Sequence, residues 1–373
     1  MQTGRWAIGS LMSGDAAVLG DESAVFEAAV GHTVPASRLA PNDYLIDPRR
    51  FASEGNWAFC RFDSDDVPAL RLGFQRGGFN GGLLAKEPSP AYLQLHLEVM
   101  TGEGALLWLP SGAYAADRLL TDSQTMDMHL ADEGRELVRL IGWPTIECHF
   151  CSTEGDLEAH LEFALRTVTI LPDCPLPHCL FAMWESMGDV SGTVRHRGER
   201  TSVRGKVFFD HTRVIPRRHS QTPRHRYVYS TVYFEDGSGL YGYHSVDATG
   251  RAIDSYCFVM HVDAAGQGRL AWDAALTRLV LDGDGIAKSW QISCRIPRGD
   301  LVVELRVRDS GILRSWGSPE PPRTRRDYSI IPLVLDGTAT VAGAEPISLK
   351  AYGLAEYFDA DLWPADKAAS PMN

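Results

Sequence analysis

No run in the chain approaches the roughly 18 consecutive apolar residues that a membrane-spanning helix needs, so no helical span is expected. The opening "MQTGRWAIGSLMSGDAAVLGDESAV" lacks the basic start and solid apolar block of a secretory leader, and no signal peptide is expected. Cysteine is scarce and odd in number, seven in 373 residues. That scarcity argues against a disulfide framework and for a reducing compartment, with cytoplasm as the expected location. Heptads and low-complexity tracts are missing. So are a G-x-S-x-G elbow, a P-loop and a G-x-G-x-x-G opening a helix, which removes three large enzyme classes as readings. The acidic turn "LDGDG" (281–285) lacks the remaining ligands of a calcium loop.

What is present is an ordinary globular composition, 44% apolar and 23% charged, with a formal charge of −12. The charge is uneven. Between Arg195 and Arg226 there are ten Lys and Arg against two acids, Glu199 and Asp210. Such an island could receive an anionic ligand, or it could be exposed strand faces whose arginines pair with acidic neighbours. Nucleic acid is not an expected partner, since the overall field repels it and no binding motif is present.

Period-two alternation dominates. "YLQLHLEV" puts Leu93, Leu95, Leu97 and Val99 on one face and Tyr92, Gln94, His96 and Glu98 on the other. "EAHLEFALRT" and "LVVELRVR" repeat the pattern, and Gly- and Asp-rich turns such as "RGGFNGG", "HRGE", "FEDGSG" and "DGDG" separate the runs. Strands with one buried and one wet face, joined by short turns, predict an all-β fold of antiparallel barrels or sandwiches. Helical candidates are few: "DESAVFEAAVG" (21–31) and "ADEGRELVRLIG" (131–142). Two prolines and a basic cluster in "VIPRRHSQTPRHR" (214–226) predict a boundary. The expected organisation is an N-terminal extension (1–45), a first unit (46–215) and a second (216–373).

Several side chains stand out. In "VRGKVFFDHTRV" (203–214), Val203, Val207 and Phe209 share a face with His211, whereas Arg204, Lys206 and Asp210 share the other. Asp210 therefore cannot orient the His211 ring if the strand is regular. Glu356 shares a face with Tyr352, Leu354 and Phe358; a carboxyl among apolar neighbours should hold its proton and could donate it. Tyr227, Tyr229 and Tyr233 line one face of "RYVYSTVYFE", and Val228, Val232 and Phe234 line the other, which is the safer expectation for core; the tyrosines are expected to point outward. Cysteines in "CHFC" (148–151) and "CPLPHC" (174–179) invite a zinc reading, but a strand sends Cys148 and Cys151 to opposite faces. No metal and no cofactor is expected.

The stretches "SGTVRHRGERTSVRGKVFFDH", "YFEDGSGLYGYHSVDATGR" and "AYGLAEYF" resemble the tandem lipocalin-like family of carotenoid 1,2-hydratases (hydroxyneurosporene synthases), whose relatives include proteins that guide Diels–Alder cyclisations. Gly192, Gly198, Gly205, the Asp210-His211 pair, the Asp236-Gly237 turn and Glu356 carry the likeness, in order across most of residues 50 to 360. The resemblance implies two sequential lipocalin-like barrels, an apolar ligand cavity, and cofactor-free acid–base chemistry on a polyene or terpenoid-like substrate. It brings His211, with Asp210 and Glu356, forward as catalytic candidates, and Trp184 as a pocket wall. Tyr229 and Tyr233 are candidate substrate contacts. Where carotenoid hydratases share an aromatic two places after the histidine, this chain has Arg213, which could anchor a carboxylate or enolate. Hydration or dehydration, isomerisation or cyclisation of a terpenoid, steroid-like or polyketide molecule is the leading expectation. A non-catalytic carrier of an apolar small molecule is the alternative. Oligomeric state is not legible.

Overall fold

The computed structural model describes residues 32–38, 53–76, 92–101, 106–109, 113–115, 119–122, 127–152, 155–176, 179–216, 226–246, 252–271, 274–283, 285–310, 330–343 and 346–359. The candidate helix at 21–31 and most of the predicted boundary, residues 217–225, lie outside them. Among the described residues the fold is antiparallel β throughout, with one 3-10 turn at Ala36–Arg38 and no α-helix. None of the described helices is long and apolar enough to cross a membrane.

Two curled sheets follow one another along the chain. The first has 13 strands among the described residues, and its central path runs Ala69–Arg76, Ser53–Phe62, Glu199–Pro216, Cys179–His196, Leu157–Leu176, Thr145–Cys151 and Arg135–Ile141. The second has nine among the described residues, with Gly239–Val246, Arg226–Phe234, Ile347–Asp359 and Ile330–Ala342 at its centre. Three strands of the first sheet are 18 to 20 residues long. Strands of that length must bend to stay on one core. Register shifts at Leu165/Thr167 and Leu171/Cys174 bend one of them. Gly205, one of the residues that carry the family resemblance, lets two backbones close up, since a Cβ there would sit 2.0 Å from the Arg61 carbonyl oxygen.

The expected helix at 131–142 is instead a hairpin, with Asp127–Asp132 pairing to Arg135–Ile141. Glu133 and Gly134 form its two-residue loop with φ of 49° and 79°. That is the type I′ geometry which matches strand twist, so turn chemistry overrides the helical spacing of Leu137 and Ile141.

Burial follows the alternation, with one large exception. Leu161, Phe163 and Leu165 enter the first core, as do Val203, Val207 and Phe209. Leu301, Val303 and Leu305 enter the second. The exception is the outer face of the first sheet. Phe59, Ala69, Met100, Met183, Met187 and Phe208 point away from their own sheet's core and pack with Tyr227, Tyr229, Tyr233 and Tyr241 of the second. Glu98, expected to be wet, is 1% exposed there. The two sheets bury a layer that neither would bury alone.

Candidate acid–base site between the sheets

The site grows from one row of side chains across the outer face of the first sheet. Thr169, Glu185, Asp210 and Trp57 are successive cross-strand partners on four adjacent strands, so all four point to the same side. Gly73 continues the row, and the Trp57 ring lies across it where a Cβ would clash at 2.3 Å. Facing this row is the tyrosine face of the Arg226–Phe234 strand. Tyr229 donates to Glu185 Oε2 at 2.7 Å and Tyr233 to the Phe59 carbonyl at 3.1 Å. The expectation that these tyrosines point outward is half right. They leave the second sheet's own interior, but the first sheet covers them, and Tyr229 is only 7% exposed.

Glu356 is the cross-strand partner of Tyr229 and therefore joins the same layer. It pairs with the Arg71 guanidinium, which also holds Glu98 at 2.6 Å and stands 5.1 Å over the Trp57 ring. One arginine thus ties two carboxyls from opposite sheets.

Dry surroundings reset the proton affinities. Burial pushes Glu185 up to about 8, opposed by the hydrogen bond from Tyr229. Burial, then the neighbouring Glu185 and Glu356 carboxyls, hold Asp210 well above the ordinary carboxylate range. Burial also raises Glu98 to about 7 and lifts Glu356, in both cases against the pull of Arg71. Asp210 Oδ1 and Glu185 Oε1 have no hydrogen-bond partner among the described residues. Two adjacent carboxyls whose hold on the proton is strengthened by burial, each with an oxygen unpartnered among the described residues, can deliver a proton and take one back.

These affinities predict a pH dependence of stability. Between 4.5, where the unfolded chain releases them, and about 7 and 8, Glu98 and Glu185 bind protons that the unfolded state does not. Stability therefore falls as pH rises through that window. His244 runs the other way: burial lowers it from 6.5 to about 3, so its contribution is complete above 6.5 and lost as pH falls. Above pH 6.5 the carboxyls dominate, and the buried thiols of Cys60 and Cys148 add to the same slope as pH nears the range of a free thiol. Urea unfolding is expected to show a loss of about 2–3 kcal/mol between roughly pH 6.5 and 8.5, and Glu185→Gln should flatten that slope.

His211 stands apart from this layer. It points into the first core, 1% exposed, with Nδ1 at 2.7 Å from Asn56 Oδ1 and its ring stacked 5.2 Å from Trp184. Asp210 and His211 thus occupy opposite sides of one strand, as the alternation predicts, and the structure brings Asp210, Glu356, Tyr229 and Tyr233 together without His211 or Trp184. Arg213 lies in the same strand opposite Ala182 and Glu54, and its side chain is outside the described residues. The basic island supplies Arg195 and Lys206 to Glu158 and Asp189 on adjoining strands. A cleft of about 400 Å3 opens beside Asp63, Asp189, Arg204, Lys206 and Tyr352, and no member of the Asp210 row lines it.

Sequence reasoning gave no site role to Arg71 or Glu98, and it noted Glu185 beside Trp184 without giving it one. Glu185 had a usable signal, a lone acid inside the apolar run "FAMWESM". Arg71 and Glu98 had none, because each reads as the wet face of an alternating strand.

No family model and no curated protein matches the chain. Solved structures do. A protein of Nitrosomonas europaea with the provisional name AttH superposes with a TM-score of 0.54 at 13% identity, over 82% of this chain and 92% of that one. Kievitone hydratase from Nectria haematococca (TM-score 0.45, 9% identity) and CghA with Sch210972 (0.44, 11%) each cover 82% of this chain and 88% of their own. The chain therefore shares its fold with the Nitrosomonas europaea protein, and that fold, two curled antiparallel sheets in succession, is the one the resemblance to tandem lipocalin-like proteins implies.

Proposed function

We propose that this chain is a cofactor-independent acid–base enzyme acting on an apolar small molecule, with the Asp210–Glu185 pair as its proton donor. One observation carries the reading: two cross-strand carboxyls lie in a buried layer that raises the proton affinity of both, Glu185 to about 8, and each keeps an oxygen without a partner among the described residues. A protonated carboxyl beside an alkene or a departing hydroxyl can place its proton there, and the resulting carboxylate recovers one from the cationic intermediate or from incoming water. Addition or loss of water, double-bond migration and ring closure all follow that course. Tyr229 orients Glu185, and Arg71 with Glu356 supplies a charged end wall for an oxygenated group on the substrate. The likeness of the Asp-His block to hydratases supports the same class, with a terpenoid, steroid-like or polyketide substrate. His211 has no step in this scheme; it packs on Trp184 inside the first core and contributes to stability.

Native mass spectrometry of freshly purified protein, looking for a co-purifying lipophile, identifies the molecule. Incubation of that molecule with the enzyme in deuterated water then tests the chemistry. Deuterium appearing on carbon, or a mass change of one water, is expected. Recovery of the ligand unlabelled and unaltered would establish a carrier instead.

A further inference from the structure

On the solvent side of the first sheet, far along the curl from the carboxyl layer, three donor atoms converge. His149 on the Thr145–Cys151 strand and His160 on the Leu157–Leu176 strand are direct cross-strand partners. Their rings stack with centroids 4.2 Å apart and planes 14° from parallel. Glu158, two residues before His160 and so on the same face, places Oε1 at 2.8 Å from His160 Nε2 and 3.3 Å from His149 Nε2. One atom from each of the three falls within 4.8 Å of the other two.

The surroundings arrange these atoms as ligands. Glu136 Oε1 lies 2.6 Å from His149 Nδ1 and, as a carboxylate, can only accept there, which favours the tautomer with the proton on Nδ1. In the neutral ring this leaves Nε2 as a bare lone pair aimed at a carboxylate oxygen. At 3.3 Å from Glu158 Oε1, that nitrogen stands where a proton or a cation can bridge it to the carboxylate. Arg195 holds the other oxygen, Oε2, through Nε at 2.8 Å and through Nη2, so Oε1 is fixed toward the imidazoles. A carboxylate that receives the far N–H of a ligating histidine is the usual outer support of a metal site.

We propose that His149 Nε2, His160 Nε2 and Glu158 Oε1 form an open three-ligand site for a divalent transition cation of the Zn2+ class. Two imidazoles and one carboxylate suit such an ion, and water completes the tetrahedron on the exposed side. Binding replaces the proton on His160 Nε2 and any on His149 Nε2, and it draws the three atoms together by side-chain rotation alone. The cation clips the two strands across their hairpin. His149 is 23% exposed and His160 55%, so the ion reaches them from solvent.

The test is calorimetric titration of the full chain, stripped with a chelator, with Zn2+ alone. One equivalent bound with micromolar affinity is expected. His149→Ala and His160→Ala should each weaken it at least about tenfold, and Glu136→Gln, which removes no ligand, by about tenfold. Co2+ in place of Zn2+ should show the strong visible bands of a four-coordinate ion, lost in both histidine variants. Both histidines lie on the outer face, so the variants should keep the parent circular dichroism and unfolding midpoint without metal. Absence of binding to the parent, or binding unchanged in the double histidine variant, overturns the site. It stands independently of the carboxyl layer, so its failure leaves the proposed chemistry untouched.

Discussion

Arg71→Ala is expected to lower the free energy of unfolding by about 3–5 kcal/mol, because it leaves a buried carboxyl without its partner. Arg71 is 4% exposed, Glu98 1% and Glu356 13%. After truncation Glu356 can turn toward water. Glu98 cannot, and must either stay charged in a dry layer or carry a proton at all working pH. The damage should therefore shrink in acid, where Glu98 is protonated in any case. A double replacement, Arg71→Met with Glu98→Leu, removes both charges and fills the volume, and should cost much less than the single change. Urea midpoints of the three proteins at pH 5.5 and pH 8 read the effect. A single variant as stable as the parent at pH 8 would mean that the guanidinium is not what makes the layer tolerable.

Asp210→Asn is expected to reduce turnover by about 10²- to 10⁴-fold, the range of a lost general acid. The amide keeps the shape and neutrality of the protonated carboxyl, so folding should survive. It should even gain at alkaline pH, where the parent must ionise Asp210 against burial and the nearby Glu185 and Glu356. Lost activity combined with raised stability at alkaline pH separates a catalytic group from a packing one. His211→Ala should do the reverse, losing the stack on Trp184 and with it stability, while the Asp210 chemistry persists in whatever fraction folds. Turnover of the lipophile found by native mass spectrometry measures both. Full activity in Asp210→Asn would remove the acid from the mechanism.

Particular residues show how much was legible beforehand. Alternation put Asp210 and His211 on opposite faces and grouped Glu356 with Tyr352 and Leu354, and the register bears this out. The same alternation labelled Glu98 as wet and the tyrosines at 227, 229 and 233 as outward. Both labels assumed that the face away from a strand's own core meets solvent. Here it meets another sheet. At 131–142 the spacing of Leu137 and Ile141 suited a helix equally well, and only the Glu133-Gly134 turn tipped the segment to a hairpin.

Local periodicity and turn chemistry by themselves determined that this protein is antiparallel β and which side chains share a face of each strand, whereas the division into two successive units rested on the interruption at 214–226 and on the family resemblance. They did so because side-chain direction is a property of the backbone within a few residues. Tertiary structure alone decided what lies against each face. The bond from Arg71 to Glu356 spans 285 positions, and the proton affinities of Glu185 and Asp210 come from water excluded by strands distant in the chain. Dielectric surroundings are set by everything packed nearby, and no window along the sequence contains them.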